Sequence, residues 1–104
     1  MTHNRAYKNG TMFERNGLKV AIIHAPELVS FTHNALKENY PEVDITITTH
    51  FDFTDLKPRI HVSYRSYNGF HVGAFLKSRG IGGGNATGGG GSVPTGALDQ
   101  ILPS

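Results

Sequence analysis

A glycine-rich segment, residues 82–91, constrains the fold of this chain more than any other feature. Seven of its ten residues are glycine, and Asn85, Ala86 and Thr87 separate the two glycine runs. Glycine at this density frees the backbone to adopt positive φ and lets other groups approach the main-chain amides closely. The same composition is also typical of a flexible linker. The residues before the segment decide between these two interpretations.

Length and composition restrict the chain to a few classes of protein. Its 104 residues suffice for one small domain, and its net charge of +2 favours an anionic partner only mildly. The absence of cysteine excludes disulfides, thiolate metal sites and cysteine nucleophiles. Residues 1–10 are polar and unlike a signal peptide, and no apolar run is long enough for a membrane span. We expect a cytoplasmic protein whose residues 1–10 are a disordered or non-native N-terminus.

The N-terminal half predicts a hairpin, a helix and a strand. Thr11 to Arg15 and Leu18 to His24 flank an Asn-Gly pair, which favours a tight two-residue turn. A helix is predicted to begin at Pro26, because apolar side chains then recur at helical spacing on one face, at Leu28, Phe31, Ala35, Leu36 and Tyr40. Strand alternation follows at Val43, Ile45 and Ile47, and a loop is expected from Phe51 to Pro58.

The next strand carries the first candidate site residues. Ile60, Val62 and Tyr64 alternate with His61, Ser63 and Arg65. Successive side chains of a strand point to opposite faces of the sheet. If the apolar set packs on the core, the pattern places the polar set together on the other face.

A short second helix leads directly into the glycine-rich segment. Val72, Phe75 and Leu76 mark this helix, and Gly80 occupies the usual C-terminal glycine position. A linker would not normally follow a capped amphipathic helix in this way, so we expect a built-in glycine loop at 82–91. We therefore predict a single α/β domain over residues 11–104, with the order β-β-α-β-β-α-glycine loop. Helices cover one face of a small mixed sheet of about four to five strands.

Two motifs in this order resemble the DHH-associated C-terminal domain of the DHH phosphoesterases. The first is a strand ending in Ser-x-Arg-Ser, here Ser63 to Ser66, and the second is Gly82 to Gly84 followed after a short interval by Gly90. The resemblance covers residues 12–93. The superfamily includes nano-RNases, single-strand exonucleases, cyclic-dinucleotide phosphodiesterases and exopolyphosphatase-like relatives, and a related domain ends the alanyl-tRNA synthetases.

This chain departs from the family pattern in two places. Asn85 stands where the family usually has histidine, and Gly88-Gly89 replace a pair of small alanine-type residues. Asparagine can still donate a hydrogen bond to phosphate, but it cannot exchange a proton at neutral pH. The family's catalytic Asp-x-Asp and Asp-His-His motifs, which bind two manganese or magnesium ions, are also absent. The resemblance therefore implies no catalytic residues and no metal in this chain, with hydrolysis dependent on a catalytic domain supplied elsewhere.

The resemblance implies that the chain grips phosphate. The Arg65 guanidinium offers forked donors to a phosphate and a plane on which a base can stack. Alternatively, Arg65 is an ordinary exposed arginine, a nearby serine satisfies loop backbone, and Asn85 only shapes a turn. The candidate substrate-binding residues are Arg65, Ser66, Ser63, His61, Gly82, Gly83, Gly84 and Asn85.

The expected partners are a short single-stranded nucleic acid or phosphorylated small substrate, and the DHH catalytic domain. A homodimer is also open, and no membrane partner is expected. The six histidines have no i, i+4 pair and no cysteine beside them, so we expect no metal site. Two alternatives to a substrate-binding domain stay open. One is a stand-alone nucleic-acid-binding or tRNA-binding module, and the other is a structural assembly module that has lost its ligand.

Overall fold

The computed structural model describes residues 10–25, 30–53 and 56–103. Within them, six strands form one mixed sheet in the order β1-β2-β3-β4-β6-β5. β2 and β3 are parallel and every other neighbouring pair is antiparallel. The strands are β1 (Thr11–Arg15), β2 (Leu18–His24), β3 (Ile45–Asp52), β4 (Arg59–Ser66), β5 (Gly82–Gly84) and β6 (Gly88–Pro94). The helices are α1 (Ser30–Asn39), α2 (Val72–Ser78) and a 3-10 helix (Thr95–Ile101). The predicted α/β class is confirmed.

The predicted N-terminal hairpin is also confirmed. Asn16 and Gly17 connect β1 and β2 with φ values of 52° and 79°, the positive range that this two-residue turn requires. Gly80 likewise has a φ of 69° just after α2, as expected for a glycine that ends a helix. The first predicted helix begins at Pro26, which lies outside the described residues.

The two faces of the sheet differ in chemistry. One face, which we name the core face, carries the main apolar cluster together with α2 and the 3-10 helix. The opposite face, which we name the arginine face, carries Thr46 and Thr48 of β3 and His61, Ser63 and Arg65 of β4. The buried core-face cluster comprises Val20, Ile45, Ile47, Ile60, Val62, Tyr64, Val72, Leu76, Ile81, Val93 and Ile101.

The expectation that helices cover only one face is wrong. α1 connects β2 to the parallel strand β3 and packs on the arginine face, where Leu36 joins a smaller cluster with Ala21, Ile23 and Val43. α2 packs on the core face against β4, β5 and β6. The periodicity of the sequence predicts where the helices lie in the chain, but not on which face of the sheet each helix packs.

The predicted buried face of α1 is also partly wrong. Phe31 is 60% exposed, whereas Thr32, His33 and Leu36 are buried. The sheet beneath α1 presents threonine and serine hydroxyls, so a polar helix face can be buried there with its hydrogen bonds satisfied.

The glycine-rich segment is a β-hairpin where a loop was predicted. Gly82–Gly84 and Gly88–Pro94 form antiparallel strands, and β6 continues the sheet by pairing with β4. A Cβ on Gly82 would overlap the Gly90 carbonyl of the facing strand, so this close approach needs glycine. The segment is thus built into the sheet, which excludes the linker interpretation. β3 also runs two residues into the predicted loop, to Asp52.

Candidate functional site

Arg65 lies near the end of β4 on the arginine face, between Thr46 of β3 and Gly88 of β6. Its Nη1 donates a hydrogen bond to Oδ1 of Asn34 in α1 at 3.0 Å. Gly88 is opposite Arg65 and Gly90 is opposite Ser63, so β6 places no side chain beside either residue. A guanidinium with five N–H donors therefore borders a stretch of sheet surface made only of backbone.

Ser63 is held by a histidine that the sequence did not single out as a site residue. Nε2 of His33 lies 2.9 Å from Ser63 Oγ, and Nδ1 of the same ring lies 2.8 Å from Thr46 Oγ1. His33 is only 3% exposed and Thr46 is fully buried. Two strands and α1 thus converge on one imidazole beside Arg65.

The His33 ring is held in its neutral form. Burial is the larger cause and the positive charge of Arg65 the smaller one, and together they lower the pKa of His33 to about 4. At neutral pH one ring nitrogen therefore donates a hydrogen bond and the other accepts one. The ring acts there as a hydrogen-bonding bridge and not as a cation.

Tyr67 closes the other end of this arrangement. Its hydroxyl oxygen lies 3.2 Å from Thr46 Oγ1, and its backbone N–H donates to the Asp44 carbonyl. Nζ of Lys37 lies 4.7 Å from the centre of the Tyr67 ring, a favourable cation–π distance. With 36% of its surface exposed, Tyr67 reaches the solvent at the margin of the arginine face.

His61 belongs to a separate cluster on the same face. It lies four residues from Arg65, about 13 Å along the strand. Its Nε2 is 2.9 Å from a carboxylate oxygen of Asp52, and its ring stacks on His50 with centres 6.4 Å apart. The structure therefore brings Ser63 close to Arg65 and places His61 farther away beside an acidic group.

Ser66 lies on the opposite face of β4 from Arg65, Ser63 and His61. It alternates with Arg65 along β4 and lies on the core face, with 7% of its surface exposed. Its backbone N–H donates to the Thr87 carbonyl at 2.8 Å, which ties the end of β4 to the hairpin tip. Ser66 thus supports the position of the glycine hairpin without facing the surface around Arg65.

Asn85 forms the turn at the tip of the β5–β6 hairpin. Its Oδ1 accepts hydrogen bonds from the backbone N–H groups of Thr87 and Gly88 at 3.0 and 2.9 Å, and from the Thr87 hydroxyl at 3.2 Å. The oxygen is therefore engaged in shaping the turn. Gly82, Gly83 and Gly84 form the adjoining edge strand, two strands beyond β4.

The first amides of α2 are also occupied. The N–H groups of Val72 and Gly73 donate to the carbonyls of Ala86 and Asn85 in the hairpin tip. Arg79, at the other end of this helix, donates to the Gln100 carbonyl and lies over the Phe75 ring. On the arginine face, Arg59 at the start of β4 donates from Nε to Ser92 Oγ at 3.0 Å. Arg65 and Ser63 lie farther along the same strand, opposite Gly88 and Gly90.

Two further properties concern the whole described part of the chain. Residues 10–25, 30–53 and 56–103 contain no group of three histidine, cysteine or acidic side chains placed to hold a metal ion. None of the helices in those ranges is long and apolar enough to cross a membrane.

Comparison with known proteins gives similarity of fold alone. The pGpG-specific phosphodiesterase PggH from Vibrio cholerae is 17% identical with a TM-score of 0.68, over 95% of this chain and 34% of that protein. An uncharacterised protein from Helicobacter pylori G27 is 16% identical with a TM-score of 0.55, over 96% of this chain and 28% of that one. The chain thus spans about a third of the length of these two structures. No protein-family model matches it, and no curated protein does.

Proposed function

We propose that this chain is the substrate-binding domain of a DHH-family phosphoesterase. Its arginine face would hold the phosphorylated end of a short oligonucleotide for a catalytic domain supplied elsewhere. The observation that carries the proposal is Arg65 beside Ser63 on a sheet surface kept bare by Gly88 and Gly90. The similarity in fold to part of a pGpG-specific phosphodiesterase supports the same class of substrate.

The chemistry of this face suits a phosphate. An arginine guanidinium presents several N–H donors in one plane, which match the oxygens of a phosphate better than a point charge does. A hydroxyl next to it supplies another donor. Because Gly88 and Gly90 of β6 have no side chains, a nucleotide can lie against the backbone there, and a larger side chain would obstruct it. Contacts of this kind are strong because the anion and the guanidinium are both charged.

Under this proposal the domain contributes positioning to a reaction performed elsewhere. Holding one end of a substrate fixes the scissile bond relative to a catalytic group, which accounts for a large part of many rate accelerations. From the resemblance to the DHH family, we expect manganese or magnesium in the catalytic domain, where such ions would supply an activated nucleophile and stabilise charge on the phosphoryl group.

The test is a titration of the isotope-labelled chain with the 5′-phosphorylated dinucleotide pGpG, followed by NMR. Shifts are expected at residues 63–65 and 88–90, and Arg65→Ala is expected to weaken binding about 10-fold to 100-fold. Arg15→Ala removes the same charge from β1, three strands away, and serves as the matched control. The unphosphorylated dinucleotide GpG is expected to bind more weakly than pGpG.

Two results would overturn the proposal. One is the absence of shifts at millimolar pGpG. The other is equal weakening by Arg65→Ala and Arg15→Ala, which would indicate attraction by net charge alone. Salt-sensitive binding to longer RNA, with no preference for a terminal phosphate, would favour the stand-alone nucleic-acid-binding module instead.

One observation favours the second candidate function, an assembly module. Several large apolar side chains are exposed around the end of β3, with Phe51, Phe53 and Leu98 exposed by 41%, 66% and 46%. An open cavity of about 410 Å³ lies between the sheet and the 3-10 helix in this region, and Ile22, Phe51 and Leu98 line part of it. Exposed apolar surface of this kind is typical of protein–protein contacts. Concentration-dependent dimerisation in sedimentation, abolished by Phe51→Ser, would support this function, and a strictly monomeric chain would contradict self-assembly.

A further inference from the structure

Four polar side chains form a continuous hydrogen-bond network between the arginine face and α1. Tyr67 lies 3.2 Å from Thr46, Thr46 lies 2.8 Å from His33, and His33 lies 2.9 Å from Ser63. The two middle members are buried, whereas Tyr67 and Ser63 reach the surface. A polar network at this depth is costly unless every member is satisfied, so the arrangement of its protons is restricted.

The hydrogen bonds of this network can all point in one of two directions. In one, Tyr67 donates to Thr46, Thr46 donates to Nδ1 of His33, and Nε2–H donates to Ser63. In the other, Ser63 donates to Nε2, Nδ1–H donates to Thr46, and Thr46 donates to Tyr67. Each hydroxyl has a single proton to give. Only the first direction leaves the Ser63 proton for a group outside the protein.

An anion beside Arg65 selects the first direction. The guanidinium attracts the anion, and an anion can only accept hydrogen bonds. A Ser63 hydroxyl that already receives Nε2–H then donates its own proton outward. In the opposite arrangement, Ser63 would present only a lone pair to the anion, and the two would repel each other.

We propose that His33 is a positioning residue that makes the Ser63 hydroxyl a hydrogen-bond donor to a terminal phosphate held by Arg65. This inference rests on the proposed function and deepens it by naming the form of phosphate that the site prefers. A terminal phosphate exposes three oxygens, whereas a phosphodiester within a strand exposes two. The two-pronged guanidinium suits two of those oxygens, and Ser63 supplies a donor for the third.

The chain offers a closely matched pair of variants for the test. Thr46 and Thr48 are both fully buried on the arginine face of β3. Thr46 Oγ1 contacts His33 and Tyr67, whereas the Thr48 hydroxyl is without a hydrogen-bond partner among the described residues. Valine has the shape of threonine without its hydroxyl. Thr46→Val therefore cuts the chain of hydrogen bonds, and Thr48→Val, directly opposite Ser63 in the sheet, leaves it intact.

The experiment compares dissociation constants for pGpG and GpG in these variants and in Ser63→Ala. We expect Ser63→Ala and Thr46→Val each to weaken pGpG binding about 5-fold to 10-fold and to change GpG binding by less than about 2-fold. Thr48→Val should leave the binding of both dinucleotides unchanged. The long-range ¹H–¹⁵N spectrum of the His33 ring supplies an independent readout. With pGpG bound, the proton is expected on Nε2, and in Thr46→Val that preference should weaken.

The outcomes separate this inference from the proposed function. If pGpG binds with full dependence on Arg65 but Ser63→Ala and Thr46→Val bind like the parent chain, the role of His33 is overturned and the proposed function stands. A ring proton on Nδ1 in the complex overturns that role as well. If pGpG does not bind at all, the proposed function and the role of His33 are both overturned. If Ser63→Ala and Thr46→Val weaken the binding of pGpG and GpG equally, the proposed preference for a terminal phosphate is wrong.

Discussion

Gly73 in the first turn of α2 packs directly on the backbone of Gly84 in β5. A Cβ at position 73 would overlap the carbonyl group of Gly84, and the Gly73 N–H donates to the neighbouring Asn85 carbonyl at 2.8 Å. Helix and hairpin therefore meet backbone to backbone. This contact fixes the glycine hairpin against the rest of the domain and, through β6, the bare surface beside Arg65.

Gly73→Ala is expected to destabilise the domain by about 1–3 kcal/mol, because the added methyl group forces helix and hairpin apart. Alanine favours a helix over glycine by about 1 kcal/mol, so a loss here would point to the contact and not to propensity. Gly83→Ala is the control, since a Cβ there meets nothing within 4 Å. Its effect should stay within about 0.5 kcal/mol in urea unfolding. Equal stability of the two variants would contradict the packing argument.

Asn85→Ala is expected to lower stability by about 1–2 kcal/mol, because two backbone N–H groups and the Thr87 hydroxyl lose their shared acceptor. Asn85→Asp keeps an acceptor oxygen in the same place and should remain within about 0.5 kcal/mol of the parent. Thermal or urea unfolding at neutral pH measures both. If the aspartate variant lost as much as the alanine variant, the turn would not depend on this acceptor.

Much of the fold could be predicted from local pattern. Asn16-Gly17 specified the first hairpin, and alternation along β4 placed Arg65, Ser63 and His61 on one face. The glycine hairpin could not be predicted in this way, because glycine is depleted in strands and has no side chain to show strand alternation. Its strands exist because β4 offers an edge to pair with and α2 packs on the backbone at Gly84.

The candidate site was predictable only in part. Alternation shows which residues of one strand share a face, but not what a distant helix brings to them. His33 lies 30 residues from Ser63 in sequence, and its helical neighbours suggested a face built on Phe31. The available signal was the run Thr46, Thr48, Thr49 in a buried strand, since hydroxyls at such depth need polar partners. The substrate-binding roles of all the candidate residues, Arg65 and Ser63 included, stay predictions.

Tyr64→Phe is expected to lower the free energy of unfolding by about 1–2 kcal/mol. The buried Tyr64 hydroxyl donates to the Ile101 carbonyl at 2.5 Å, and that acceptor would lose its partner.

Burial also raises the pKa of Tyr64. The unfolded chain then releases the tyrosine proton near pH 10 while the native chain keeps it, so stability falls as pH rises above about 10. Urea unfolding at pH 8 and pH 10.5 should show a smaller fall for Tyr64→Phe. Tyr40→Phe, whose half-buried hydroxyl donates to Gly10, should cost less than about 1 kcal/mol at pH 8.

His33 makes the domain less stable in mild acid. Its folded pKa of about 4 lies below the usual 6.5, so between these values the unfolded chain binds more protons than the native one. The free energy of unfolding therefore keeps its full value above pH 6.5 and decreases as pH falls towards 4. The expected decrease between pH 7 and pH 4.5 is about 2 kcal/mol. In urea unfolding, His33→Gln should show a smaller loss over this interval. Arg65→Ala should also reduce it, because the Arg65 charge is the second cause of the lowered pKa. If both variants kept the parent's full pH dependence, His33 would not be the group responsible.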